Sequence, residues 1–304
     1  MSIRFILYSI LISGCETIVD VDLPEYNPML VVNCAFSPDY EWSVRVNHSI
    51  GVLDTSAIEP IKNATVEIAS DDGQRLLLSR NDNGYYYNPA LPYPEANKTY
   101  TVHVSAPGYT DVSASSAIPI ATQIDSIRTR WLNYAGSKEL ELTIYLTDPI
   151  DIDNYYQLSI LEVYIYEGYG IYMDYDSDDL IFGNSGGTTF TDDLISGKSY
   201  GIKVGLEAWQ VDSGVLQINL LSASEDFYKY YTSYRQYEDT DENPFAEPVF
   251  VHSNIENGLG IFAGFNTTSR RFYVPGYATM SESFKSVPVK TSPQPSPTSI
   301  LFPD

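Results

Sequence analysis

The sequence reads as mainly β: a β-sandwich over residues 29–120, followed by a second β-rich domain over 121–285 that carries one amphipathic helix. Three observations carry this. Apolar and polar residues alternate in short runs, turn-forming residues recur between the runs, and helical periodicity is confined to one segment of the 304 residues. At this length the chain has room for two cores.

The first run, Met29 to Phe36, is apolar, and Trp42 to His48 alternates cleanly. Ala64 to Ala69 ends in the turn Asp71-Asp72-Gly73, and Arg75 to Ser79 returns as its hairpin partner. Tyr85-Tyr86-Tyr87 opens a strand after Asn83-Gly84, and Lys98 to Ser105 alternates before Pro107-Gly108 turns the chain. In the second domain Glu139 to Leu146, Tyr155 to Tyr166, Tyr200 to Leu206 and Val215 to Leu220 read as strands. The helix is expected over 224–237. Ser222 or Ser224 can cap it, Glu225 and Asp226 suit its first turn, and Phe227, Tyr230, Tyr231 and Tyr234 fall on one packing face. From Ser286 to residue 304 the composition is Pro/Ser-rich, which predicts a disordered tail.

The first 14 residues place Arg4 before a short apolar run, Phe5 to Ile12, too short for a bilayer span and proportioned like the core of a signal peptide. Ile12-Ser13-Gly14-Cys15 then resembles a lipobox, in which small residues enter the peptidase and the cysteine thiol accepts lipid. Residues 1–14 are therefore expected to be a lipoprotein signal peptide. Cys15 would be the acylated residue, and 15–28 a tether reaching up to about 40 Å from the membrane. Loss of Arg4 leaves 16 basic against 40 acidic side chains, a formal charge of −24. That surface repels nucleic acid and anionic membrane faces, so attachment to the membrane falls to the lipid anchor. Cys34, left without a second cysteine, reads as a small buried hydrophobe.

Candidate chemistry is sparse. Gly183-Asn184-Ser185-Gly186-Gly187 has the spacing of a hydrolase nucleophile elbow, but β-forming residues follow where that turn needs a helix. A glycine-rich loop is the better account. His48, His103 and His252 have no second ligand at zinc spacing and read as satisfied structural histidines. Asp174, Asp176 and Asp178 alternate like the opening of a calcium loop, although Asp179 stands where that loop needs glycine; a solvated acidic loop is the alternative. No other cofactor is expected. Tyrosine is abundant, at 26 residues, and Tyr85 to Tyr87 with Tyr164, Tyr166, Tyr169 and Tyr172 would serve equally as strand formers or as a sugar-stacking surface.

Leu30-Val31-Val32-Asn33, Ile61 to Ile68, Gly84-Tyr85-Tyr86 and Lys98 to Val102 follow the lipobox in order. Asn243 to Pro248 then leads into Ser253-Asn254-Ile255-Glu256-Asn257-Gly258-Leu259-Gly260-Ile261-Phe262. Together these resemble a family of outer-membrane lipoproteins of Bacteroidota whose function is not known, over nearly all of the chain to about Val274. The first domain also resembles immunoglobulin-like sandwiches of the carboxypeptidase-regulatory or transthyretin-like kind. Members of the family are typically encoded beside TonB-dependent receptors. The resemblance thus implies a non-enzymatic accessory partner of such a receptor, in nutrient uptake or envelope assembly, on the periplasmic or cell-surface face. Asn254, Ile255, Gly258, Gly260 and Phe262 are the candidate partner-docking loop. The alternative expectation is a surface glycan- or polymer-binding protein that uses its tyrosine-rich sheets.

Overall fold

The computed structural model describes residues 26–276 apart from 52–53, 135, 151, 166–167, 184–187 and 242–246. The leader, Cys15, the tether as far as residue 25 and the Pro/Ser-rich tail lie outside the described residues. The fold is mainly β with one α-helix, a large mixed sheet and a smaller one.

Seven strands come from the first stretch, residues 29–120: β1 (Leu30–Phe36), β2 (Ser43–His48), β3 (Thr65–Ser70), β4 (Arg75–Arg80), β5 (Tyr85–Tyr87), β6 (Thr99–Ser105) and β7 (Val112–Ala117). The expected hairpin joins β3 to β4, with Gly73 at φ 89° in its turn. The second stretch gives β8 (Ile124–Tyr134), β9 (Ser137–Thr147), β10 (Tyr155–Tyr164), β11 (Tyr169–Met173), β12 (Thr189–Thr191), β13 (Ser199–Glu207) and β14 (Val215–Ala223). Helix α1 (Glu225–Asp241) and β15 (Leu259–Tyr273) complete the chain. Ser224 caps α1 by accepting from Phe227 N, and Lys229 pairs with Glu225 one turn earlier. The helix runs four residues beyond the expected end at 237, toward the helix-stopping Pro244 of the sequence.

Chain order and spatial order part company at β15. Its first half pairs in parallel with β1, Leu259 to Gly264 against Val31 to Phe36. Its second half pairs antiparallel with β14, Phe265 to Tyr273 against Ala223 to Val215. One strand therefore joins the strands of both stretches into a single sheet, β11-β10-β14-β15-β1-β2-β5-β4-β3-β6-β7. That sheet bends until β7 returns to the β15 side, where Ser113 bridges Glu256. The bend encloses a first core of Val32, Cys34, Phe36, Trp42, Tyr100 and Phe262. Phe36 packs on Phe262 at 4.5 Å between ring centroids and on Trp42 at 5.1 Å.

The small sheet β13-β9-β8 covers one face of β10 and β14, burying Leu140, Leu142, Ile144, Ile160, Ile218 and Leu220 between them. Every residue of β14 is buried, which requires cover on its other face as well. At one end of that face lies α1, with Phe227 and Tyr230 against Ala223, Ile261 and Phe265. Each such fully buried apolar side chain contributes about 1.5–3 kcal/mol. Among the described residues, no helix is long and apolar enough to cross a membrane.

Candidate functional site

Beyond the end of α1's packing face, the sheet floor is polar and a cleft opens. Its volume is about 420 Å³, within the ~300–1,000 Å³ typical of small-ligand sites. The floor is three strands wide and its side chains stand in register. Gln157, Leu221 and Thr267 form one row, and Ser159 and Asn219 belong to the next. These are the odd-numbered positions of β10, β14 and β15, because successive strand residues point to opposite faces and the even-numbered ones fill the second core.

Three separate stretches of chain build most of the walls. Tyr40 comes from the turn after β1, Tyr172 and Met173 from β11, Asp174 and Tyr175 from the segment after it, and Tyr231 and Arg235 from α1. Phe265 closes the end nearest the helix, 5.4 Å from Phe227 and 6.5 Å from Tyr40 between ring centroids. Tyr175 is anchored by donating to Leu158 O at 3.0 Å. Burial pushes the Tyr40 phenol up to about 12, with Tyr172 and Asp39 adding to the effect. Burial, then Tyr231, raises Tyr172 as well. Tyr40 and Tyr172 therefore present neutral phenols at physiological pH.

The floor amides are held differently. Arg271 Nη2 donates to Gln217 Oε1 (2.6 Å), Gln217 Nε2 donates to Asn219 Oδ1 (2.9 Å), and Ser269 Oγ donates to the same oxygen (2.7 Å). Gln157 has no side-chain hydrogen bond among the described residues, although it is only 6% exposed.

Of the tyrosines offered as a stacking surface, only Tyr172 reaches this cleft among the described residues. Tyr86 is spent in the first core, donating to Ile61 O at 2.8 Å and accepting from Ala64 N at 3.0 Å. Tyr164 stacks on Tyr169 at 5.0 Å, and Tyr166 lies outside the described residues. The helical stripe divides: Phe227 and Tyr230 pack as expected, while Tyr231 lines the cleft. Tyr40, Gln157, Asn219, Arg235 and Thr267 had no signal in the sequence beyond polar alternation along β10 and β14.

The candidate docking motif is built into the first core. Ile255 is 6% exposed and Phe262 is fully buried. The Asn254 amide imitates a neighbouring strand, with Nδ2 donating to Phe262 O at 2.8 Å and Oδ1 accepting from Phe262 N at 2.9 Å. A Cβ on Gly260, at φ 107°, would lie 2.2 Å from Val32 O, and one on Gly258 would lie 2.8 Å from Leu30 O. The motif thus sets how closely β15 approaches β1, and docking there would run through its exposed members, Glu256, Asn257 and Leu259.

Asp174, Asp176 and Asp178 are exposed and follow an extended path, Asp176 exchanging backbone hydrogen bonds with Gly205. Asp174 borders the cleft, whereas Asp176 and Asp178 border a separate acidic groove with Glu139 and Glu141. In that groove Asp179 is occupied by Tyr200 Oη (2.6 Å) and the backbone of Lys203 and Ile181. Among the described residues, no three His, Cys, Asp or Glu side chains gather as a metal site. Gly183 closes a short 3₁₀ turn, and the Asn184 to Gly187 part of the nucleophile-elbow spacing lies outside the described residues. His252 pairs with Asp226 at 2.9 Å, but His48 departs from the expected satisfied state: its Nδ1 is buried without a partner. Cys34 is buried, and burial pushes its thiol far up, which makes it inert.

No curated protein matches the chain. Residues 16–271 match a family model described as Domain of unknown function (DUF4249), and this match covers most of the sequence. With the first core, the helix, the cleft and nearly all of the second core inside the matched span, the chain belongs to that family.

Proposed function

We propose that this protein is a non-enzymatic lipoprotein of a Bacteroidota outer membrane, anchored through Cys15. It holds a small cargo for a TonB-dependent receptor in nutrient uptake or envelope assembly. The cleft carries this reading. It is preformed, aromatic-walled and floored by buried amides, which is the make-up of a site that holds a ligand. The lipobox supports the anchor, and a tether of about 40 Å lets the body meet a neighbouring receptor. The family resemblance supports the identity of that neighbour.

The test is affinity purification of the tagged full-length protein from native membranes in mild detergent. A TonB-dependent receptor in comparable amount is the expected companion. Recovery of the protein alone, with and without prior cross-linking, would overturn the partnership. A second reading, capture of a surface glycan or polymer without a receptor, draws on the same cleft and is what that negative result would leave standing.

A further inference from the structure

Hydrogen-bond accounting on the cleft floor says what kind of cargo fits. Polar groups that open onto a cleft without a partner from the chain are available to a ligand, and they lose their water when it binds. Gln157 is 6% exposed, lines the cleft, and its amide pairs with nothing among the described residues. Asn219 is 2% exposed, and the relay from Arg271 through Gln217 fixes which way its amide points. Gln217 must present Nε2 because Arg271 holds its oxygen. Asn219 must then present Oδ1 to Gln217, and Ser269 takes the same atom. Its Nδ2 is left over as a donor on the cleft floor. The chain has thus set out one oriented donor and one amide able both to donate and to accept, and it satisfies neither itself.

An apolar ligand would seal these groups away unpaired, so the cleft selects against one. An anion is disfavoured too. The full chain carries a net formal charge of −23, Asp174 borders the cleft, and Arg235, the one guanidinium lining it among the described residues, has Glu238 at 3.7 Å. What remains is an uncharged ligand rich in hydrogen-bonding groups, with apolar faces to set against Tyr40, Tyr172, Tyr231 and Phe265. A pyranose has this make-up: hydroxyls at its edge, C–H groups on its faces. We infer that the cleft binds a neutral saccharide, held between the tyrosine rings and hydrogen-bonded to Gln157 and Asn219.

This rests on the cargo reading above, and the two can fail separately. The experiment presents the full-length protein in detergent micelles to an array of neutral oligosaccharides, sialylated and uronate-containing glycans, and short neutral peptides. Titration calorimetry on the best neutral oligosaccharide follows. Binding to neutral glycans is expected. Gln157→Leu should weaken it about tenfold, the effect of one lost buried hydrogen bond, with a Tm no lower than that of the parent, since the amide has no partner to lose. Tyr172→Ala, at a position 44% exposed, should weaken binding while leaving the fold intact, which keeps the test valid if the Gln157 variant misfolds. Binding to no neutral glycan, binding confined to acidic glycans or peptides, or full affinity in both variants would overturn the assignment. Receptor co-purification alongside such a result would remove the sugar and leave the partnership.

Discussion

Replacing Gly260 by alanine tests whether β15 is seated on β1 as closely as the fold requires. Two costs add. A side chain at φ 107° is strained by about 1–3 kcal/mol. The new Cβ would also sit 2.2 Å from Val32 O and 2.7 Å from Asn33 Oδ1. Relief needs about 1 Å of movement between two backbones, which loosens ladder hydrogen bonds contributing about 1 kcal/mol each and the Phe36–Phe262 contact behind them. We expect a loss of about 3–5 kcal/mol in all, or roughly 10 °C in Tm at ~2–4 °C per kcal/mol for a body of this size. Gly73→Ala is the internal control, because Gly73 also has positive φ (89°) but open space where the Cβ would go. Its loss should be about 1 kcal/mol, the conformational part alone. Thermal unfolding followed by far-UV circular dichroism measures both. Equal shifts for the two variants would refute the claim that close strand approach, and not backbone conformation, makes Gly260 necessary.

Phe262→Ala empties the centre of the first core and should cost about 3–5 kcal/mol in a urea titration. Because β15 is shared, both near-UV and far-UV signals should move together. Asn254→Ala removes both hydrogen bonds to Phe262 and should cost about 1–3 kcal/mol, whereas Asn257→Gly, on the exposed part of the same motif and at φ 60°, should be close to silent in the same titration because glycine accepts that conformation. The buried phenols make the protein alkali-sensitive. Tyr40 is held at about 12 in the folded state against an ordinary 10, so from pH 10 upward the unfolded chain ionises first and stability falls until the folded value is passed. Tyr40→Phe should flatten the fall in unfolding midpoint between pH 10 and 12; an unchanged slope would contradict the burial of that phenol.

The sequence made the strands legible because strand patterning is local. Val44, Val46, Val66 and Ile68 announce their inward face by alternation alone, and Ser224 announces the helix start. Three things were not local. The parallel pairing of β1 with β15 joins residues 31–36 to residues 259–264, and no short-range pattern records such a partner. A glycine in sequence suits a turn or a close backbone approach alike, and only the fold shows that Gly258, Gly260 and Gly264 sit where the backbone of β1 or β7 passes too closely for a Cβ. The cleft was hidden most thoroughly. Gln157, Gln217 and Asn219 look in sequence like the solvent side of ordinary strands, and only the cover provided by α1, β11 and Tyr40 turns that side into an enclosed polar floor. The tyrosine clusters drew notice because they are adjacent in the chain, whereas the aromatic side chains that meet in space come from residues 40, 172, 231 and 265.

The late arrival of β15 has a consequence for how this polypeptide is made. Neither half is finished until residues 259–273 are present, since the first lacks a wall and the second an inner strand before then. A growing chain stays pliable until almost its last segment emerges, and then both halves can close at once. Contacts this distant make such closure slow.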